Sequence, residues 1–278
     1  GVPESRIAVL ASDGTDPAPD LAQGLAAADT DPLAWVLEDT RLGPALSPQP
    51  ELVDSALPGA AARLTATRAA LDAWMALRGA ELRAGDTLLL LATDHGVRSL
   101  ATPRDPSLVL WGERLRASEL GQLLTRLAPG VRVVLLMGQC FSGGFAQALT
   151  LRPGADGGPP EACGAFSTLH DRLAWGCYRE APPEVDGAGA GFLMHALAVL
   201  RAGGTLEDAH AAATLRDDTP DIPMTGRQDR ARQTIERTAQ DQGKRPDWVR
   251  TQLLGPVWTA APALAAHRAR VSAIAARY

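Results

Sequence analysis

Aromatic residues make up only 4% of the 278-residue chain, which also has just three cysteines and a single lysine, Lys244. Three cysteines are too few to staple a small secreted scaffold, and their odd number leaves at least one thiol free or paired outside the chain. Basic residues are scattered, and the net charge is −5. The footprint of a phosphate-backbone binder is therefore missing, and nucleic acid is not an expected partner. The longest apolar runs, around Leu88 to Ala92 and Val133 to Met137, fall far short of the ~18 residues that cross a bilayer, so no membrane span is expected. No collagen-like period or repeat is visible, which excludes fibrous and repeat architectures. The histidines His170, His195, His210 and His267 show no metal-ligand spacing with the cysteines, so no metal is expected.

What is present is a chain 46% hydrophobic and 21% charged, enough for one large domain, or one domain with a small appendage, around a sizeable core. The excess of arginine over lysine fits the coding bias of a GC-rich genome. A first residue of Gly rather than Met fits removal of a leader or a tag, and leaves the compartment open.

Three apolar runs rich in Val, Leu and Ile read as buried parallel strands: Arg6 to Ser12, Asp86 to Thr93 and Val131 to Met137. Between them the pattern is helical over Pro17 to Ala28, Gly59 to Leu77 and Ser118 to Leu127. Alternating strands and helices imply an α/β sheet whose ligands bind beyond the carboxyl ends of the strands. Downstream, the Pro/Gly-rich segment Arg152 to Pro160 reads as a loop before two short strands, Gly164 to Thr168 and Leu173 to Tyr178. A second loop spans Glu180 to Gly189. Helices follow at Gly191 to Arg201 and Thr205 to Leu215, then a polar link over Thr219 to Asp229, then helical segments to the end. The expected organisation is a domain over residues 1–216 and a helical extension over 217–278, either appended or part of the same domain.

Two strand ends carry chemistry: Thr93-Asp94-His95-Gly96 and Gly138-Gln139-Cys140-Phe141-Ser142-Gly143-Gly144. A right-handed crossover would bring them together in one sheet. Acyl transfer by a thiol needs a base within reach, and a helix beginning after the cysteine favours the thiolate. Ser142 is a plausible cap for such a helix, and Gly143-Gly144 would let the chain turn tightly into it. Gly96 has no side chain to obstruct a substrate carbonyl, so the main-chain amides of Gly96 and Cys140 together are a candidate oxyanion hole. Asp94 reads as a turn residue or an orienting group. Taken singly, a cysteine after a strand is most often a small core residue, and a strand-end histidine a turn participant; the pairing of the two motifs favours a catalytic dyad.

The two motifs resemble those of the caspase-like (clan CD) cysteine peptidases, which include legumain, caspases and gingipains. The similarity spans roughly Arg6 to Arg201. T-D-H-G followed by G-Q-C-F-S-G looks closest to the legumain type, in what looks like a bacterial member. The resemblance implies a three-layer α/β sandwich, with a mostly parallel central sheet flanked by helices. It implies His95 as acid/base, Cys140 as nucleophile and no cofactor. Legumain-like enzymes supply a pocket arginine from a pattern like R-H-Q-A-D after the first strand. Aligning Asp20 with that aspartate puts Asp16 in the arginine's place, and a carboxylate there would favour a basic residue before the scissile bond. Equally, Asp13 or Asp16 reads as a cap for a helix opening at Pro17. Asp171, Glu180, Glu184 and Asp186 read as further pocket candidates or as solvated loop charges. The family pairs its substrate along an edge strand, here Leu173 to Tyr178, with Ala174 and Trp175 beside the peptide; Trp175 reads equally well as core. Cys163 and Cys177 flank these strands as a disulfide or as two reduced thiols.

The function this implies is a cysteine endopeptidase acting on a protein or peptide substrate, with transpeptidation as a variant and a terminal segment that caps a zymogen as legumain's does. A catalytically silent interaction module of the same fold is the other reading. A serine hydrolase is excluded, because no G-x-S-x-G elbow is present.

Overall fold

The computed structural model describes residues 2–23, 36–37, 40–42, 51–54, 62–150, 161–174, 191–216, 221–256, 262 and 265–276. The chain is α/β and divides into two compact units, Gly1–Ala76 with Leu110–Arg114, and Leu77–Val109 with Leu115–Tyr278.

In the first unit β1 (Val9–Leu10) pairs in parallel with β4 (Arg63–Leu64), and β2 (Leu21–Gln23) pairs antiparallel with β3 (Glu51–Val53). The run Arg6 to Ser12 thus shrinks to two strand residues, and Ile7 is exposed. The helix expected over Pro17 to Ala28 does not form at its start: 17–20 are irregular and 21–23 are β2, while 24–28 lie outside the described residues. The cause is local. Asp16 and Ala18 both precede prolines, which disfavours helical backbone at each. The next helix, α1 (Arg68–Leu77), begins later than Gly59 because Arg63 and Leu64 are in β4, and Thr67 Oγ1 then accepts the Ala70 N–H at the helix start.

The second unit holds the main sheet. Its first strand is β5 (Thr87–Ala92). A smaller three-stranded sheet follows in the order β6 (Gly96–Val97), β7 (Ser107–Leu110), β8 (Glu113–Arg116). Helix α2 (Ala117–Leu124) follows, its Ser118 N–H and hydroxyl both bonded to the Asp105 carboxylate at 2.8 Å. Then come β9 (Arg132–Met137), β10 (Ala162–Phe166), helices α3 (Gly191–Arg201) and α4 (Leu206–Arg216), the short β11 (Met224–Thr225) and helix α5 (Gly226–Asp241). Toward the end of the chain lie α6 (Pro246–Val249), continued by a π-helical segment Arg250–Leu254, and α7 (Ala265–Ala275). The main sheet runs β11-β10-β9-β5, parallel except at β11.

Along β9 and β10 successive apolar residues turn to opposite faces. Leu136 and Ala165 join Phe192, Leu193 and Ala196 of α3 and Ala209 and Ala213 of α4 in one cluster. Leu135, Met137 and Phe166, which alternate with them, are equally buried, so both faces are covered at these strands. At β5 burial on both faces fails: Leu89 and Leu91 are 55% and 43% exposed, and β5 ends the sheet among the described residues. The expected link Thr219 to Asp229 also differs. It contains β11 and the start of α5, which opens with a capping box in which Thr225 N–H donates to Gln228 Oε1 at 2.6 Å and Gln228 N–H to Thr225 Oγ1 at 3.2 Å. Because β11 pairs with β10 and α5 packs on it, the chain does not divide at residue 216. No helix among the described residues is long and apolar enough to cross a membrane.

Between α3 and α4, His210 stands edge-on to Phe192, with ring centroids 5.8 Å apart. Burial pushes its pKa below the ordinary 6.5, against a smaller opposing effect of the Gln228 side chain. An imidazole kept neutral in the fold binds its proton more readily when unfolded. Its contribution is therefore present above pH 6.5 and is lost as pH falls toward the lower folded value. His210→Gln is expected to reduce the drop in melting temperature between about pH 7.5 and about pH 5.5, measured beside wild type.

Candidate functional site

The register Ala92↔Met137 brings the ends of β5 and β9 level, and Gly138 N–H donates to Ala92 O at 2.8 Å. His95 and Cys140 therefore each follow by the same short step on neighbouring parallel strands. The turn after β5 is fixed locally: Asp94 Oδ1 accepts the His95 N–H at 2.5 Å, and His95 O accepts the Val109 N–H at 2.9 Å. Asp94 thus acts on its neighbour's backbone, and His95 itself is exposed.

The turn after β9 is tighter. Phe141 adopts left-handed backbone, φ 59°, although it has a side chain and is 7% exposed. Such a conformation costs of order 1 kcal/mol and persists only where the surroundings impose it. They do so here through the Phe141 N–H, which donates to Arg172 O at 2.8 Å, and the Ser142 N–H, which donates to Gln139 O at 3.2 Å. A 3-10 helix then runs Ser142–Leu149. Ser142 does not cap it: Phe141 holds the cap position, and the Ser142 hydroxyl accepts the Thr168 N–H at 3.2 Å and meets Ser167 Oγ at 3.2 Å. The two glycines serve close packing, since a Cβ on Gly143 would lie 2.6 Å from Met224 Sδ and one on Gly144 2.3 Å from Pro106 Cδ.

The two turns meet through backbone. A Cβ on Gly96 would fall 1.8 Å from the carbonyl oxygen of Cys140, so only glycine fits there. The half-buried Cys140 Sγ accepts the Ala174 N–H at 3.3 Å and lies 3.7 Å from Ala174 O. Ala174 therefore stands at the sulfur, and Leu173 and Ala174, expected to open an edge strand, are not strand. Trp175, Cys177 and the loops 152–160 and 180–189 lie outside the described residues. Cys163 is exposed, with a free thiol. Asp16 belongs to the first unit, where its exposed carboxylate accepts the Ala18 N–H at 3.0 Å, closing a turn instead of capping a helix. Desolvation, then the carboxylates of Asp20, Asp16 and Asp54, push the neighbouring Asp13 carboxyl up from its ordinary range.

Sequence reasoning missed three contributors. Arg172 supplies the carbonyl that holds Phe141, and Met224 packs against Gly143. Gln139, adjoining Cys140, has its carboxamide fully buried. For Gln139 the available signal was a polar residue directly continuing an apolar strand.

No family model matches this chain, and no curated protein matches it. Among solved structures it is similar to protein GSU0716 from Geobacter sulfurreducens, at 20% identity and a TM-score of 0.41, over 58% of this chain and 73% of that one. At that identity and score the likeness carries no argument.

Proposed function

We propose that the chain is a cysteine endopeptidase of caspase-like architecture, with Cys140 as nucleophile and His95 as acid/base. The observation that carries this reading is the backbone contact of Gly96 with Cys140, which juxtaposes the His-Gly and Cys turns at the ends of adjacent parallel strands. In the reaction Cys140 Sγ attacks the substrate carbonyl carbon while the imidazole of His95 takes the thiol proton. The developing oxyanion is stabilised by main-chain N–H groups of Gly96 and Cys140. His95 passes its proton to the leaving amine, an acyl-enzyme remains, and water activated by His95 releases the acid and restores the thiol. The substrate runs as an extended segment past Ala174. No cofactor takes part in this scheme.

The test is cleavage of a peptide library varied at the residue before the scissile bond, by wild type, Cys140→Ala and His95→Ala. Expected is turnover by wild type, none by Cys140→Ala, and a loss of about 10²- to 10⁴-fold in His95→Ala. Cleavage after Arg or Lys would indicate a basic preference; cleavage after Asn or Asp would exclude one and keep the enzyme. If no form cleaves, and a thiol-directed peptide electrophile labels Cys140 no faster than Cys163, the endopeptidase reading fails in favour of a silent interaction module.

A further inference from the structure

Gln139 immediately precedes the nucleophile, and the scheme above leaves its side chain without a task. It is 1% exposed, and among the described residues neither its Oε1 nor its Nε2 has a hydrogen-bond partner. Its surroundings are otherwise well paired. Its own carbonyl accepts from Ser142 N and Ser167 Oγ, Ser142 Oγ accepts from Thr168 N, and Thr168 Oγ1 donates to Leu173 O. A buried amide without partners forfeits its hydration without return, and folded proteins avoid this at the great majority of positions. Leucine or methionine would fill the same volume at no such cost. The location of the exception is therefore informative. Gln139 Cγ lies 3.1 Å from the point a Gly96 Cβ would occupy, so the side chain is packed against the backbone of the His95–Gly96 turn where that turn meets Cys140.

We propose that Gln139 is a positioning residue. When an acyl donor or a covalent label occupies Cys140, its carboxamide takes up a main-chain hydrogen bond from the His95–Gly96 turn and holds that turn in register with the nucleophile. The proposal rests on the reading of Cys140 and His95 as a dyad. A carboxamide suits the task, because one flat group carries both a donor and an acceptor and can serve either main-chain partner. An unpaired state at rest is also expected, since hydrogen bonds of catalytic constellations often form fully only with the reacting group in place.

The test is the pH profile of Cys140 alkylation by iodoacetamide, with site occupancy read by mass spectrometry, on the full chain of wild type, Gln139→Met, Gln139→Leu and His95→Ala, with a thermal melt of each. Gln139→Met is expected to fold with a melting temperature at or above wild type. It is expected to slow Cys140 alkylation about tenfold and move the profile toward that of His95→Ala. A Gln139→Met protein with the wild-type profile overturns the proposal. So does failure of both Gln139→Met and Gln139→Leu to fold, because the amide would then be a structural partner in the resting state. If His95→Ala alone leaves the wild-type profile unchanged, the dyad reading fails and the proposal falls with it. That outcome is visible without any Gln139 variant.

Discussion

Gly96→Ala is expected to cost on the order of 1–3 kcal/mol of stability and to slow any reaction of Cys140 with a peptide by at least about a hundredfold. The reason is geometric. The added methyl would sit 1.8 Å from the Cys140 carbonyl oxygen, and the obstacle is main chain, which no rotamer change can clear. Gly96 is not among the glycines of positive φ, so its requirement is close approach and not conformational freedom. The only relief is separation of the two turns. That separation pulls β6 from its Gly96↔Leu108 pairing, or drags Cys140 off the Ala174 N–H. Gly191→Ala is the matched control: among the described residues nothing lies within 4 Å of its added Cβ at the start of α3, and it is expected to be neutral or to stabilise by up to about 1 kcal/mol. Urea midpoints measure the first effect. The second is read from Cys140 labelling by a peptide electrophile, with the exposed Cys163 of the same molecule as internal reference. A Gly96→Ala protein matching Gly191→Ala in both readouts would show that the two turns do not touch.

The parts of this architecture that were legible share a physical cause. Strand β9 carries a continuous apolar run from Val133 to Met137, because a parallel strand covered on both faces has little room for a polar residue, whereas β10 (Ala162–Phe166) starts and ends two residues before the expected Gly164 to Thr168. Helix α3 over Gly191–Arg201 agrees with its pattern residue for residue. The adjacency of the turns that carry His95 and Cys140 needed only the crossover rule once those strands were read. The hydrogen bond of Ala174 to sulfur, by contrast, was not legible, because nothing in Asp171 to Ala174 foretells it. Contacts between distant residues were the least legible: the Ser142 hydroxyl leaves its own helix for Thr168, and Arg172 imposes the backbone of Phe141. Two-residue strands such as Met224–Thr225 carry no periodicity, since a period of two cannot be counted over two residues. The capping box Thr225-x-x-Gln228 was in plain sight, and it marks the start of α5 inside what reads by composition as a polar link. At Leu89 and Leu91 the inference from apolar run to full burial went too far, because the same run at the end of a sheet leaves one face open.

Arg104→Ala is expected to destabilise the fold by on the order of 3 kcal/mol, and removal of residues 221–278 to abolish cooperative folding of the second unit, not to activate it. Arg104 joins three parts of that unit. Its guanidinium binds Asp229 Oδ1 at 3.2 Å and Glu236 Oε2 at 2.7 Å, both on α5. Its carbonyl accepts Gln147 Nε2 at 2.8 Å from the 3-10 helix that follows Cys140. Two residues on, Pro106 packs so closely on Gly144 that a methyl there would meet it at 2.3 Å. The Asp229 side chain is 5% exposed, so loss of Arg104 strands a buried carboxylate that keeps the Gln233 amide as its partner among the described residues. Replacing both ends, Arg104→Met with Asp229→Leu, removes the charge and the counter-charge together and is expected to recover much of the loss. A double variant no better than Arg104→Ala would mean that the arginine acts through packing of its stem instead. The same contacts bear on the terminal segment expected to cap a zymogen. Met224 packs on Gly143, β11 extends the sheet at β10, and Gly226 lies against Leu149. Residues 221–241 therefore support the turn that carries Cys140 through β11 of the sheet and the helix that follows it. Limited proteolysis that cuts between 217 and 241 should lower both the melting temperature and Cys140 labelling. A cut there that raises labelling would instead identify the segment as a removable cap.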